Sequence, residues 1–423
     1  MSFRDGLMKI VVKVQDIVGL LKRFEESPRQ AMRELTTQVR GGFKDALQTL
    51  LDAEIGVFLG QDAETANKRN GHSVRTFSVK GIGAVQLRVP RDREGRYESN
   101  IVPKGRRYDE ELEKDLALLH LAGLSTRVLS RVSGRVLGLT VSPQEVSNAL
   151  KTIVPQAKAY LDRSLAGRPF KYLYVDGTHF RVRRTTVERE PTLVVIGVDE
   201  EDKKSIIAMV QGDKDSRQAW EMVFSLLKER GLDGSKVQLG IMDGLPGLAD
   251  AFLDAFPNAR IARCWVHKLR NVMTLVPRRY QAEFKGDWDR MAYATGREAA
   301  EAAHVAFQLR WRSTAGDAVT RFGKDQAALF CHYDFPPAHW AALRTTNPIE
   351  RVNKEFKRRS KSMETMGPEG LKALLAFTAL RLEYGWSTTP ISSPKLANLA
   401  LSPTTRGSQA AAQLDAITQA LMH

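Results

Sequence analysis

The sequence has little cysteine and lacks long apolar runs. Only Cys264 and Cys331 occur among its 423 residues, too few for a disulfide framework, and residues 1–15 contain no apolar signal core. No segment approaches the roughly 18 consecutive apolar residues of a membrane span. The Walker A and dinucleotide-binding motifs are also absent, which argues against ATP hydrolysis and hydride transfer. These absences predict a cytoplasmic protein with no membrane partner.

The chain is rich in basic residues. Apolar residues make up 43% and charged residues 27%, the balance of a folded globular protein with two or more compact units. Lys and Arg number 64 against 49 Asp and Glu, which gives a net charge of +15. Such a charge favours a polyanionic partner, because each phosphate neutralised by Lys or Arg releases counterions. An RNA binder and a merely basic surface are alternatives that net charge cannot separate.

The first hundred residues predict two regions. Residues 1–66 carry apolar side chains at helical spacing and predict a helical region. Residues 67–108 predict a small basic β/linker region. It begins with a basic turn at 67–72, continues with short strands that end at Pro90, and finishes as a charged, exposed linker able to lie along phosphates.

Residues 109–155 predict a helix-turn-helix-like DNA-binding domain. Gly123 breaks the first helix, and the second helix turns three residues inward, Val128, Leu129 and Val132. The segment 142–145 is a capping box that opens the third helix. In a major groove this helix would read bases with Gln144, Ser147, Asn148 and Lys151. The alternative is a plain helical bundle that links two domains.

Beyond residue 168 the pattern changes to strands. Runs at 172–175, 193–198 and 205–210 predict an antiparallel meander. A helix, a strand at 238–242 and another helix follow, so we expect an α/β domain with a mixed sheet. Residues from about 268 to 340 carry helical patterns and predict an all-α insertion. The C-terminal tail, 387–423, is predicted to be loose and to end in a short helix with Leu414, Ile417 and Leu421.

Two Asp-Gly pairs follow predicted strands. The carboxylates of Asp176 and Asp243 would project where those strands end, and two strand ends can converge. Adjacent carboxylates repel each other unless a cation or a proton relieves them, and their oxygens suit Mg²⁺ or Mn²⁺. At each position, the alternative is that Asp-Gly simply makes a turn.

A third carboxylate lies at a predicted helix start. Asn347 is a natural N-cap and Pro348 suits the first helical position, so Glu350 falls in the first turn. The segment 344–361 holds seven basic and two acidic residues, which favours contact with a phosphate backbone. The buried stripe is predicted to be Ile349, Val352 and Phe356. The DNA-contacting residues are predicted to be Arg351, Lys354, Lys357, Arg358, Arg359 and Lys361. The alternative is a capping glutamate on a solvated helix.

The segment Cys264-Trp265-Val266-His267 looks like half of a zinc site. The adjacent pair Cys331-His332 fits the other half poorly, because zinc ligands are usually spaced by two to four residues. A packed core pair and a role near the active site are the remaining alternatives. Trp265 would either stack on an unpaired base at a DNA end or lie in the core.

Five blocks of the sequence resemble the mutator-type transposases of bacterial insertion sequences. The blocks are 69–71 with 89–93, 123–127, 175–177, 264–271 and 346–353. Their order and spacing carry the resemblance over nearly the full length. It implies an RNase H-like catalytic core in two parts, 168–268 and 344–386, with a helical insertion at 269–343.

The resemblance also implies a metal-dependent active site. A DDE triad falls on Asp176, Asp243 and Glu350, which would hold two Mg²⁺ ions (Mn²⁺ possible), and the Cys-x-x-His element falls on Cys264 and His267. The implied activity is cleavage of double-stranded DNA at terminal inverted repeats and strand transfer into target DNA. Such a protein would act at the bacterial nucleoid as a homodimer or larger homo-oligomer, since two element ends must be held together. A non-catalytic DNA-binding protein and an RNase H-like nuclease without joining activity are the alternatives.

Overall fold

The computed structural model describes residues 17–61, 67–136, 140–183, 187–213, 215–361 and 367–392. They form two compact units, one up to Ala149 and one from Leu150 onward. The helix predicted at Leu414, Ile417 and Leu421 lies outside the described residues. Within the described ranges, every helix is too short or too polar to span a membrane.

The first unit opens with two helices and a β-hairpin. They are α1 (Ile17–Glu26), α2 (Pro28–Gln61), β1 (Arg69–Val79) and β2 (Gly83–Asp92). The antiparallel strands pack their apolar side chains, among them Phe77 and Leu87, against Leu51 of α2. The predicted helical region is confirmed over 17–61. The basic turn predicted at 67–72 is wrong from Arg69 onward, because β1 begins there.

Hydrogen bonds hold the charged segment after β2 in place. The Asp92 carboxylate is buried and accepts from the Asn67 amide at 2.8 Å, from the Arg96 N–H at 3.0 Å and from the Tyr97 N–H at 3.2 Å. Burial alone would raise the pKa of Asp92, but these hydrogen bonds outweigh it and lower that pKa. Glu54 of α2 also accepts, from the Tyr97 hydroxyl at 2.8 Å. Most residues of this segment are exposed as predicted, and Asp92 and Ser99 are its buried polar exceptions.

Three helices follow as predicted. They are α3 (Glu110–Leu121), α4 (Thr126–Val136) and α5 (Pro143–Leu161). The capping box is confirmed, because Ser142 N–H donates to Glu145 Oε2 at 2.7 Å and Glu145 N–H donates to Ser142 Oγ at 3.2 Å. Leu129 is buried as expected. Val128 and Val132 are each 37% exposed, so the prediction that they face inward is wrong.

A five-stranded mixed sheet organises the second unit, in the order β5-β4-β3-β6-β7. The strands are β3 (Phe170–Arg183), β4 (Val187–Asp199), β5 (Lys204–Gln211), β6 (Leu239–Met242) and β7 (Arg260–Arg263). The first three form the predicted antiparallel meander, and β6 and β7 run parallel to β3. The predicted α/β class with a mixed sheet is confirmed. The sequence analysis did not predict β7, which has only four residues, two of them arginines.

Two helices form a core against one face of this sheet, α6 (Arg217–Glu229) and α7 (Pro246–Ala255). Trp220, Phe224 and Phe252 share one buried cluster with Val175 and Met242 of the strands. A Cβ at Gly240 would lie 2.5 Å from the Phe252 ring. Only glycine therefore lets α7 approach β6 so closely.

The stretch between β7 and the next core helix is an all-helical insertion, as predicted. Its helices are α8 (Trp265–Met273), α9 (Gln281–Ala292), α10 (Arg297–Trp311), α11 (Gly316–Gly323), α12 (Gln326–Phe330) and α13 (Trp340–Leu343). They enclose a separate aromatic core that includes Phe284, Trp288 and Phe322. Buried Asp287 accepts from the Trp311 indole N–H at 2.9 Å. This cluster makes the insertion a compact body with its own core.

The chain then returns to the sheet in two helices, α14 (Asn347–Ser360) and α15 (Pro368–Ser387). α14 contacts β3 and β4, and its buried side carries Ile349, Val352 and Phe356 as predicted. The N-cap is Thr346 rather than Asn347, which leaves Glu350 in the first turn. This return places α14 over the strand that carries Asp176.

Candidate active site

Asp176 and Asp243 lie side by side on neighbouring parallel strands. Val175 of β3 pairs with Met242 of β6, and each aspartate is the next residue in its chain. Each carboxylate accepts the N–H of the following glycine, at 2.8 Å in Asp176 and 2.6 Å in Asp243. β3 continues to Arg183, so Asp176 lies within a strand rather than at its end, and only β6 stops at this level. The predicted convergence of the two aspartates therefore has a basis in the strand register.

The segment before α14 lies on the same face of the sheet as Asp176. Side chains two residues apart on a strand project to one face, so Asp176 shares a face with Tyr174 and Tyr172. The Tyr174 hydroxyl donates to the Ala342 carbonyl at 3.2 Å, and the Tyr172 hydroxyl lies 3.0 Å from His339 Nδ1. The chain thus crosses this face immediately before it reaches Glu350.

Glu350 is held by two basic side chains of α8. Its Oε1 lies 3.3 Å from His267 Nε2 and 3.6 Å from the Arg270 guanidinium. The glutamate side chain is 35% exposed and His267 is 19% exposed, which leaves the carboxylate accessible to solvent while the imidazole is mostly covered. No role for Arg270 follows from the sequence alone.

A contact between Cys264, His267 and Thr346 joins the start of α8 to the start of α14. The buried Thr346 donates its backbone N–H to Cys264 Sγ at 3.4 Å, and its hydroxyl lies 3.3 Å from His267 Nδ1. His267 therefore faces Thr346 through one ring nitrogen and Glu350 through the other. Of the two alternatives, a packed pair and a role near the carboxylates, this geometry favours the second.

The surroundings of His267 favour a positive ring. Its pKa is raised to about 9, first by the hydrogen bond to Cys264. Burial opposes this shift, and the negative charges of Cys264, Asp243 and Asp176 add to it. A positive His267 ring suits the carboxylate that its Nε2 faces in Glu350.

The donor set suits a hard divalent cation. Asp176, Asp243 and Glu350 offer carboxylate oxygens, the ligands that Mg²⁺ prefers. Among the described residues, no three His, Cys, Asp or Glu side chains are close enough together to hold a metal ion. Glu350 is instead engaged by His267 and Arg270, so a ligand role requires it to leave those partners.

The comparisons with known proteins identify a family. The sequence profile described as "Transposase, Mutator family" matches residues 17–386. This chain belongs to the mutator family of transposases. The match includes the strands that carry Asp176 and Asp243, the whole insertion and α14, and it confirms the resemblance found in the sequence.

Several insertion-sequence transposases are similar to this mutator-family chain. The transposase of element IS905 from Lactococcus lactis is 30% identical over 76% of this chain and 83% of its own length. That of IS1201 from Lactobacillus helveticus is 28% identical over 76% of this chain and 88% of its own. That of IS406 from Burkholderia multivorans is 27% identical over 86% of this chain and 97% of its own.

The basic residues of α14 divide into an exposed set and one buried member. The exposed set, which we call the basic face, is Arg351, Lys354, Lys357, Arg358 and Lys361. Arg359 is only 2% exposed and donates to Glu355 Oε2 at 2.7 Å. Its predicted contact with DNA is therefore wrong, because three residues beyond Phe356 the helix has turned Arg359 into the buried stripe.

The structure also shows where the residues considered for base stacking and for a zinc site lie. Trp265 is 3% exposed and packs in the core of the insertion, which is the second of the two positions expected for it. Cys331 and His332 are buried there too, and burial lowers the pKa of His332 to about 4. Within the described ranges they form no metal cluster with Cys264 and His267.

The residues predicted to read bases lie at the start of α5. Gln144, Asn148 and Lys151 are exposed, whereas Ser147 is half-buried and donates its hydroxyl to the Pro143 carbonyl at 3.0 Å. The Gln144 amide N–H donates to Asn148 Oδ1 at 3.1 Å. Two amide side chains are thus fixed next to each other on the exposed side of a capped helix.

Proposed function

We propose that this chain is a DNA transposase that cuts and joins DNA strands at Asp176, Asp243 and Glu350. The observation that carries the proposal is the register of β3 and β6, which puts two aspartates side by side, while α14 brings a third carboxylate across the same face. A mixed sheet with carboxylates at adjacent strands and a final helix fits an RNase H-like core, which we propose as its architecture.

The three carboxylates are proposed to hold two divalent ions, Mg²⁺ or Mn²⁺. When bound, such ions supply positive charge that favours deprotonation of an attacking hydroxyl and stabilises the leaving 3′ oxygen. The chain's own residues prepare this site. The N–H groups of Gly177 and Gly244 orient the two aspartates, while His267 and Arg270 hold Glu350 close by.

Substrate binding is proposed to use two further surfaces. The basic face of α14 starts one residue after Glu350 and would follow a phosphate backbone towards the carboxylates. The exposed side of α5 would read the terminal inverted repeats, with Gln144 and Asn148 suited to contact adenine edges. Because two element ends must be joined to one target, we propose a homodimer or a larger homo-oligomer as the active form.

The proposal is tested by cleavage of a plasmid that carries the two ends of the chain's own element. Wild type is incubated with Mg²⁺ and compared with Glu350→Gln, which removes the charge and keeps the shape. We expect wild type to nick at the element ends and the variant to lose at least about a thousandfold in rate, since a ligand needed in the transition state is gone. DNA affinity is expected to stay the same, as measured by filter binding.

The matched control is Glu369→Gln. Glu369 occupies the first turn of α15 as Glu350 occupies that of α14, and its side chain is 59% exposed. We expect this variant to cleave like wild type. Binding of element ends without cleavage by wild type would reject the catalytic proposal in favour of a DNA-binding regulator, and cleavage without joining of precut ends would indicate a nuclease.

A further inference from the structure

Tyr293 is an aromatic side chain that faces solvent. It follows the last residue of α9 and is 63% exposed. Among the described Phe, Trp and Tyr residues, only Tyr384, at 40%, is also exposed. Its hydroxyl forms no hydrogen bond to any described residue. The ring thus contributes little to the core of the insertion, which is built from other aromatic residues.

One face of the Tyr293 ring is backed by a guanidinium. Arg344 Cζ lies 4.2 Å from the ring centroid, and the Arg344 side chain is fixed there by a 2.8 Å hydrogen bond to the Ala292 carbonyl. No carboxylate lies within ion-pair distance of Arg344 in the part of the chain that the structure describes. The pair therefore combines an open aromatic face with a positive charge that no described carboxylate neutralises.

This pair is connected to the backbone segments that position the candidate site. The Arg344 carbonyl accepts the N–H of Trp265, the first residue of α8, at 2.9 Å. Thr346, which contacts Cys264 and His267, follows only two residues later, a separation of at most about 7 Å along the backbone. Arg344 thus connects Tyr293 to the start of α8, the helix that carries His267 and Arg270.

We propose that Tyr293 and Arg344 form a stacking platform for an unpaired nucleotide of the DNA next to the cleaved bond. The base stacks on the open face of Tyr293, and Arg344 supplies a charge that attracts its phosphate. Stacking suits this position because every base has a flat face, so the platform needs no particular sequence. This inference rests on the proposed function, and it assigns to Tyr293 the role that buried Trp265 cannot fill.

The test compares single-stranded with double-stranded probes. Fluorescence anisotropy at constant salt measures binding of the full-length chain to a 20-nucleotide dT strand and to a 20-base-pair duplex. We expect Tyr293→Ala to weaken binding of the dT strand at least about fivefold, the low end for loss of one base–aromatic stack. Binding of the duplex is expected to change less than about twofold.

Three further variants make the result specific. Tyr293→Phe keeps the ring and should bind both probes like wild type, whereas Tyr293→Leu keeps apolar bulk without a ring and should behave like Tyr293→Ala. Tyr384→Ala removes the other exposed tyrosine and should change neither probe. An unchanged dT affinity in Tyr293→Ala, or an equal loss on both probes, overturns the platform. Mg²⁺-dependent cleavage by wild type is scored separately, so a failed platform leaves the proposed function standing.

Discussion

The charged residues around the β-hairpin and those of α14 are used in opposite ways. At the hairpin, Asp92 is buried and accepts three hydrogen bonds, and Arg69 donates to the Asp52 carbonyl at 2.7 Å. On α14, Lys354 and Lys357 are exposed, and no described carboxylate lies within ion-pair distance of either. Asp92 and Arg69 lie in the blocks that resemble the family, whereas Lys354 and Lys357 follow the last block.

This difference separates structural charge from charge available to a ligand. A charged group whose hydrogen bonds are all made within the chain stabilises the fold and has little left to offer a partner. A lysine that faces water without a partner keeps its charge for phosphates and releases their counterions on binding. The net charge of +15 counts both kinds alike, and only the contacts distinguish them.

The largest expected effect is on the hairpin. Asp92→Ala should lower the free energy of unfolding of the first unit by about 3 kcal/mol, because the N–H groups of Arg96 and Tyr97 lose a buried acceptor. Urea titration followed by hydrogen exchange at the β1 and β2 amides measures this loss. The neighbouring exposed Glu94→Ala should stay within about 0.5 kcal/mol of wild type. Equal losses in both variants would contradict a special role for Asp92.

Acid gives a second check on the same carboxylate. Its folded pKa is lowered from 3.8, so the stabilisation from Asp92 is fully present above that value and is lost as the pH falls below it. Wild type should therefore lose stability on the acid side more steeply than Asp92→Asn. If the stability of the two proteins fell in parallel with pH, Asp92 would not be the group responsible.

A smaller loss is expected at the buried arginine of α14. Arg359→Met should destabilise the second unit by about 2 kcal/mol, because Glu355 loses its buried partner and keeps only the exposed Arg358. The slope of DNA affinity against salt should not change, since Arg359 does not reach phosphates. Thermal unfolding and binding at several salt concentrations measure the two quantities. A reduced salt slope would show that Arg359 belongs with the basic face.

Thr346 should affect catalysis more than stability. Thr346→Val removes the hydroxyl next to His267 Nδ1, so the imidazole loses a contact that fixes its orientation at the start of α14. We expect kcat for cleavage to fall about tenfold, the effect of losing an outer contact that aligns a site residue. We expect KM and DNA affinity to stay the same. Thr346→Ser keeps the hydroxyl and should restore most of the rate, and failure of that rescue would point to packing instead.

The smallest effect is expected on the basic face. Lys357→Ala should reduce the slope of log affinity against log salt by about 0.9, the value for one phosphate contact, with stability unchanged. Lys372→Ala on α15 is the matched control, since Lys372 is exposed but already paired with Glu369 at 3.2 Å. The same slope in both variants would mean that α14 does not lie along DNA.

Local patterns in the sequence predicted the local parts of the fold. The capping box at Ser142 needs only residues three apart, and Pro348 with Glu350 marks a helix start within four residues. Both depend on nearest neighbours, and both are confirmed. The Asp-Gly pairs likewise identified two aspartates that the strand register then places next to each other.

The contacts that the sequence analysis missed depend on distant residues. Thr346 meets His267 across 79 residues of chain, and no local pattern marks such a pair. The sequence left two positions open for Trp265, and the distant helices of the insertion bury it in their core. Arg359 extends the spacing of Val352 and Phe356, yet its charge suggested a surface position. A pattern of charge alone does not report where a helix is covered.

The hydrogen bond from Trp265 N–H to the Arg344 carbonyl closes the insertion at its base. The position of the insertion between β7 and α14 also sets the order in which the three carboxylates are synthesised. Both aspartates are synthesised well before Glu350, because the whole insertion lies between Asp243 and Glu350 in the chain. A stalled or shortened product that ends before α14 therefore carries an incomplete set of these carboxylates.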